Sequence, residues 1–325
     1  MASRIIGIEF GSDTLKLAVV SGGVVRTMAV ARMPENLIRE GRITSAPALT
    51  QFVKEVCKRY GIRGGKCALV LPPQTVIAHQ VTMPVMSENE LKLNLPFEFR
   101  DFVGKDGSKY DYDYSVMNVH DNVMELYAAA VRKDLVESYY SALKKAGLTM
   151  KVAIPSEMAW LNLVLQGKTV SDKLCIVDVG HSNTRVNFFV NGTFVMGRDI
   201  EMGGALLDET IASRNRIDTH SARNIKDANM DGIQNCDELV DVYQALAVEV
   251  VKTVEFFNYS VNQGAPLEHL YYCGGSANIE GLRTAILKNT GLTCHHAQRL
   301  LPVSDQGYAD LALYCAQAAG AALQQ

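Results

Sequence analysis

Two stretches decide how this chain folds. Residues 5–25 read Ile-Ile-Gly-Ile-Glu-Phe-Gly-Ser-Asp-Thr-Leu-Lys-Leu-Ala-Val-Val-Ser-Gly-Gly-Val-Val, and residues 176–194 read Ile-Val-Asp-Val-Gly-His-Ser-Asn-Thr-Arg-Val-Asn-Phe-Phe-Val-Asn-Gly-Thr-Phe. Aligned on Gly11 and Gly180, which are 169 residues apart, Glu9 meets Asp178, Lys16 meets Arg185, and Gly22-Gly23 meets Asn191-Gly192 without a gap. In each copy an apolar strand runs into acid-x-Gly and a turn of short polar side chains. A second strand follows, and a Gly-Gly or Asn-Gly turn opens a third. The pattern predicts a meander of three antiparallel strands used twice, the mark of an internal duplication.

The first turn of each copy has the chemistry of a phosphate cradle. Gly11 allows close backbone approach, Ser12, Asp13 and Thr14 bring small polar groups, and successive turn amides form a concave nest for an anion. Lys16 adds positive charge on the following strand. Gly180, His181, Ser182, Asn183 and Thr184 repeat the arrangement. Glu9 and Asp178, at strand ends, are placed to hold Mg²⁺ through water, since that ion takes one or two carboxylates and fills its shell with phosphate oxygens and waters. Two such turns facing each other would clamp a polyphosphate. A single acid-x-Gly turn is usually only a hairpin; the duplication favours a ligand. A third signal is the apolar strand that enters Gly274-Gly275-Ser276, with Ser276 or Asn278 expected to cap the next helix and to aim amides at whatever lies above the strand. Alone it would be a packing turn, but beside two phosphate turns it reads as a nucleoside contact.

Length and composition bound the rest. A chain of 325 residues exceeds one ordinary core, and 48% hydrophobic with 21% charged residues is the composition of a folded protein. A net charge of −3 excludes nucleic-acid binding by bulk charge. The seven cysteines contain no C-x-x-C pair, which predicts a reducing compartment. No stretch approaches ~20 uncharged apolar residues, so a cytoplasmic protein that reaches a membrane only through a partner is expected.

Along the chain, helical spacing covers 48–60, a buried strand 66–71, and a self-contained set of elements 75–152 that reads as an insertion. Within it Pro96 should kink or restart the helix from Ser87, and Phe97, Phe99 and Phe102 are expected in its core. A helix at 156–166 leads to the second meander at 173–200. Then come Gly203-Gly204, a mostly helical stretch ending in a long helix (239–261), strands at 267–273 and 292–296, and helices at 279–289 and 308–322. In the last helix Ala312, Ala316 and Gly320 leave one face without bulk, which predicts close approach of another helix.

In this order the two turns, Gly274-Gly275-Ser276 and the small-residue helix resemble the actin-like ATPase superfamily over nearly the whole length, and within it the FtsA and PilM branch, most of all the PilM family of type IV pilus assembly proteins. The resemblance implies an α/β fold of two duplicated ribonuclease H-like lobes. Lobe 1A would take 1–74, 153–172 and 305–325, a 1C-type inserted subdomain 75–152, lobe 2A 173–200 and 250–304, and subdomain 2B 201–249. It implies ATP and Mg²⁺ as ligands, with Glu9 through Lys16 and Asp178 through Thr184 as phosphate loops, Gly274, Gly275 and Ser276 at the adenosine, and Gly203 and Gly204 at the nucleotide cleft. Glu249 and Lys252 resemble the charged helix residues that approach the adenosine. The implied partner is the cytoplasmic tail of a PilN-like inner-membrane protein, without membrane insertion, and self-association is admitted.

One departure stands out. The superfamily's first loop commonly opens with Asp, where this chain has Glu9; the longer carboxylate moves the metal or its water and argues for slow or absent hydrolysis. A sugar-type kinase needs a general base beside an acceptor hydroxyl, and none announces itself; Glu201 is equally a surface acid. An FtsA-like division scaffold would carry a C-terminal amphipathic helix, which the uncharged end lacks. Cys294-His295-His296 has no companion pair for a metal, Tyr110, Tyr112 and Tyr114 alternate as on an edge strand, and Trp160 is expected to pack.

Overall fold

The computed structural model describes residues 4–166, 169, 171–262, 264, 266–303 and 309–323. The chain divides into two compact units. The first takes the chain up to Phe10, Thr14–Trp160 and the chain from Gln317; the second takes Gly11–Asp13 with Leu161–Ala316.

In the first unit β1 (Arg4–Phe10), β2 (Thr14–Ser21) and β3 (Val24–Arg32) form the expected meander. The short ladder of β4 (Ile38–Arg39) with β5 (Arg42–Ile43), helix α1 (Ala46–Arg59) and β6 (Gly65–Val70) follow. β7 (Val76–Pro84), α2 (Glu88–Glu98), α3 (Arg100–Val103), β8 (Tyr110–His120) and β9 (Val123–Arg132) come next, then α4 (Lys133–Lys145), β10 (Leu148–Ile154) and α5 (Ser156–Gln166), which passes into the second unit at Leu161. The main sheet has the order β10-β6-β1-β2-β3, with β1, β6 and β10 parallel. On one face the alternating Ile6, Ile8, Leu15 and Leu17 meet Leu49, Val53 and Val56 of α1 and Leu135, Tyr139 and Leu143 of α4. The spacing of those helical residues gives each helix one apolar stripe, and burying the stripe fixes its orientation.

The second unit repeats the plan. β11 (Lys173–Val179), β12 (Thr184–Val190) and β13 (Thr193–Ile200) lead to α6 (Gly204–Asn215), α7 (Thr219–Asp227) and α8 (Asp237–Phe256). β14 (His269–Cys273), α9 (Glu280–Thr290), β15 (Thr293–His296) and α10 (Ala309–Ala322) complete it, although α10 crosses into the first unit at Gln317. The sheet order β13-β12-β11-β14-β15 matches the first sheet strand for strand. Even the irregularities correspond: the register shifts at Val19/Val20 in β2 and at Phe188/Phe189 in β12, again 169 positions on. Gly22, Gly23, Asn191 and Gly192 all have positive φ, as two-residue hairpin turns that match strand twist require.

Three expectations are revised. Residues 75–152 do not share one core: Val81, Leu91, Leu95, Phe99, Leu126 and Ala130 make a separate cluster around the β7-β9-β8 sheet, but α4 packs in the core of the first sheet and β10 is its outer strand. The stretch with its own core ends near Ala130. Pro96 does lie within the last turn of α2, which stops at Glu98 and restarts as α3. Of the three phenylalanines only Phe99 is buried; Phe97 and Phe102 are 58% and 59% exposed, because the side that packs in the cluster is the one carrying Leu91, Leu95 and Phe99 at four-residue spacing. Finally, a close approach to the last helix is made by a strand, and on the side of Ala318 and Ala322, away from Ala312, Ala316 and Gly320. A Cβ built on Gly7 of β1 would stand 1.6 Å from the carbonyl oxygen of Ala318 and 3.2 Å from the methyl of Ala322.

Candidate functional site

Strand register sets the acidic positions. In the first unit Glu9 stands directly opposite Lys16 across the β1–β2 ladder, and the Lys16 ammonium donates to the Glu9 carboxylate. The two residues expected to hold metal and phosphate hold each other. In the second copy Asp178 stands opposite Arg185, which grips Asp199 of β13 with two bonds of 2.6 Å. The equivalence of the copies holds for backbone and register.

Within the second unit three sequence-distant segments converge. The loop after β11 is closed by Gly180 N–H donating to Asn183 C=O at 3.0 Å. Gly204 N–H donates to Gly180 C=O (3.0 Å) and Ala205 N–H to His181 C=O (2.7 Å), so the first amides of α6 are capped by this loop. Ser276 Oγ donates to the same Gly180 carbonyl at 3.0 Å. Gly203 and Gly204 have no alternative here: a Cβ on Gly203 would lie 2.6 Å from His181 O, and one on Gly204 2.5 Å from Ser276 Oγ and 3.5 Å from both His181 Nδ1 and Lys226 Nζ. Thr184 is fully buried and donates to Met202 C=O (2.8 Å), and Asn183 reaches Asp199 at 3.4 Å. Ser12 is exposed.

Sequence reasoning missed the charges that join these segments. Asp208 of α6, its side chain 4% exposed, accepts from Arg223 Nε (3.1 Å) and pairs with Lys226 Nζ (2.6 Å), both from α7. Lys226 also donates to Gly204 C=O at 3.3 Å. Arg223 Nη1 donates to Asp13 at 2.6 Å, and Arg223 Nη2 lies 3.2 Å from His181 Nδ1. A signal was present: Asp208 sits beside Leu207 on the buried face of α6, where only a paired carboxylate belongs. Arg223 and Lys226, three apart, share one face of α7.

Burial and the adjacent Arg223 hold His181 below the ordinary imidazole value of 6.5, against the pull of Asp13 and Asp208. The neutral ring is thereby free to accept from the guanidinium. Because the fold favours the unprotonated form, its contribution to stability is complete above the unfolded value and declines as pH drops through 6.5. Urea midpoints should therefore fall between about pH 7.5 and pH 5.5, and His181→Gln should shrink that fall. A variant with the same pH response as wild type would show that another group is responsible.

The adenosine candidates divide. Gly274 has φ +93° and ψ 155°, and a Cβ there would meet Val179 O at 2.3 Å and Asp178 Oδ1 at 2.6 Å, so this turn lies tight against the end of β11. Gly275 lies under the Tyr314 ring. The expected helix cap at Ser276 or Asn278 is corrected: Gly275–Asn278 form a 3₁₀ turn and α9 starts only after Ile279, so the amides of Ala277 and Ile279 are used inside the turn. Glu249 and Lys252 lie on α8 and pair with each other at 2.6 Å. Glu201 is exposed. Among the described residues no three His, Cys, Asp or Glu side chains are grouped to hold a metal, and Cys294, His295 and His296 lie on β15. There His295 lies 3.2 Å from His269, and His296 accepts from Gln298 N–H. A Mg²⁺ held mostly by phosphate and water needs no such cage. Asp178 is half-buried at the end of β11, and Glu9 is engaged by Lys16. Among the described residues no helix is long and apolar enough to cross a membrane.

Comparison with known proteins agrees with this plan. A PilM-PilN type IV pilus biogenesis complex superposes with a TM-score of 0.85 at 21% identity, over 99% of this chain and 98% of that chain. The ethanolamine utilization protein EutJ from Carboxydothermus hydrogenoformans gives 0.62 at 15% identity, over 98% and 90%. MreB5 of Spiroplasma citri bound to ADP gives 0.50 at 12% identity, over 95% and 94%. The architecture is the actin-like ATPase fold. A family model described as type IV pilus assembly protein PilM matches residues 7–304, and with that span the chain belongs to the PilM family.

Proposed function

We propose that this chain is an ATP-binding scaffold of a type IV pilus or related secretion assembly platform, that it works at the cytoplasmic side of the inner membrane, and that it binds the cytoplasmic tail of a PilN-like protein. The observation that carries the nucleotide reading is the convergence of the Gly180-His181 turn, Gly203-Gly204 and Ser276, three segments drawn together around glycines that leave no room for side chains. Gly11 through Lys16 and Gly180 through Thr184 would take the phosphates, and Gly274 through Ser276 with Glu249 and Lys252 the nucleoside. Gly203 and Gly204 line the nucleotide cleft. Mg²⁺, held through water by Asp178 and Glu9, would supply charge neutralisation at the phosphates. The Glu9–Lys16 ion pair supports slow or absent hydrolysis, because it engages the carboxylate that would otherwise order the metal's water. The partner reading rests on family membership and on the PilN bound to the similar protein.

Nucleotide can change partner affinity only to the extent that it binds one conformation better than another. The test is titration of N-terminal peptides of PilN-like proteins into the purified chain, with and without Mg·ATP. Saturable peptide binding that changes with ATP is expected. Binding that ignores ATP would leave a scaffold without a switch, and failure of every peptide with the chain folded would remove the partner assignment.

A further inference from the structure

We propose that Arg223 reads the terminal phosphate of the bound nucleotide, and that it does so by exchanging the Asp13 carboxylate for a phosphate oxygen. The proposal rests on the nucleotide reading above and assigns within it a residue and a competing internal anion.

Three observations lead there. The guanidinium is aimed before any ligand arrives: its Nε is anchored 3.1 Å from Asp208, a side chain only 4% exposed, which Lys226 holds from its other oxygen at 2.6 Å. The outer edge of the same planar group meets one residue from each glycine turn, with Nη1 2.6 Å from Asp13 and Nη2 3.2 Å from His181. Both turns set aside for phosphate therefore end on one arginine. Third, the cluster balances its own charge: Arg223 and Lys226 against Asp13 and Asp208, with His181 held toward its neutral form.

The partners differ in how firmly they are held. Asp208 is deeply buried between two cations, so giving it up would strand charge in the interior. Asp13 belongs to a turn and its side chain is 20% exposed, so it can return to water. A phosphate offers the guanidinium fork two oxygens and more charge than a carboxylate, and takes over the Nη edge without disturbing the Nε anchor. His181, an acceptor, keeps the edge oriented meanwhile. The backbone amides of the Gly11–Thr14 turn face the phosphates, while the Asp13 carboxylate competes with the nucleotide for Arg223.

Competition gives a signature that a structural salt bridge does not. Dissociation constants for Mg·ATP and Mg·ADP would be measured by displacement of a fluorescent nucleotide from wild type, Asp13→Asn, Arg223→Gln and the double variant. Asp13→Asn is expected to tighten ATP by about threefold to tenfold, and Arg223→Gln to weaken ATP by about tenfold or more with a smaller effect on ADP. The double variant should behave as Arg223→Gln, because the competitor matters only while the arginine is present. Asp13→Asn alters a partly exposed turn and keeps the test open should Arg223→Gln fold poorly. Weakening of ATP by both single variants, or equal effects of Arg223→Gln on ATP and ADP, would overturn the proposal while leaving nucleotide binding intact. Absence of nucleotide binding by folded wild type would overturn both.

Discussion

Asp208→Ala is expected to remove about 3–5 kcal/mol of stability from the second unit, the usual consequence of taking one member from a buried charge cluster. Asp208 lies between α6 and α7 with Arg223 Nε at 3.1 Å and Lys226 Nζ at 2.6 Å. Removing it leaves two cations in a place from which Lys226, its side chain 8% exposed, has little access to water. The loss is a large share of what a domain has to spare. It should also loosen the loop after β11, because Lys226 holds the Gly204 carbonyl and Gly204 N–H holds that of Gly180. Asp208→Asn, which keeps the shape and one acceptor, should cost less. Urea unfolding followed by circular dichroism measures both, and a change below about 1 kcal/mol for the alanine variant would mean that the cluster is solvated and carries little of the packing.

Gly7→Ala should be comparably severe for a different reason, and in the first unit. The added methyl would lie 1.6 Å from the Ala318 carbonyl oxygen and 2.6 Å from its carbon, both backbone atoms of α10. No rotamer change relieves such an overlap; strand or helix must move, and overpacking of this kind costs about 1–3 kcal/mol or more. The helix cannot retreat cheaply, since Ala321 is packed with Ala68, Val70, Ile154 and Ala159. Loss of the cooperative thermal transition, or a midpoint lowered by about 10 °C or more, is expected. A variant as stable as wild type would contradict the close contact of β1 with α10.

These positions also show how far the sequence alone reaches. Both meanders were legible because strand alternation and two-residue turns are local signals, and the duplication checked each copy against the other down to the displaced register at Val19/Val20 and Phe188/Phe189. The glycines of the loops were legible for the same reason. The end of the inserted stretch was not: α4 has an ordinary amphipathic pattern, and only the fold shows that Leu135, Tyr139 and Leu143 face the first sheet. The cap at Ser276 was misplaced because Gly-Gly-Ser-Ala-Asn closes a 3₁₀ turn with the same residue types that open an α-helix. Arg223 was out of reach for a third reason. Its partner Asp13 lies 210 residues away, and neither residue belongs to a pattern that points to the other.

Calorimetric titration of Mg·ATP into the purified wild-type chain at neutral pH asks whether the duplicated turns serve a nucleotide. Saturable binding at one site per chain is expected, lost or strongly weakened in Gly11→Val and Lys16→Ala. No binding heat up to millimolar ATP, with circular dichroism showing the chain folded, would contradict it.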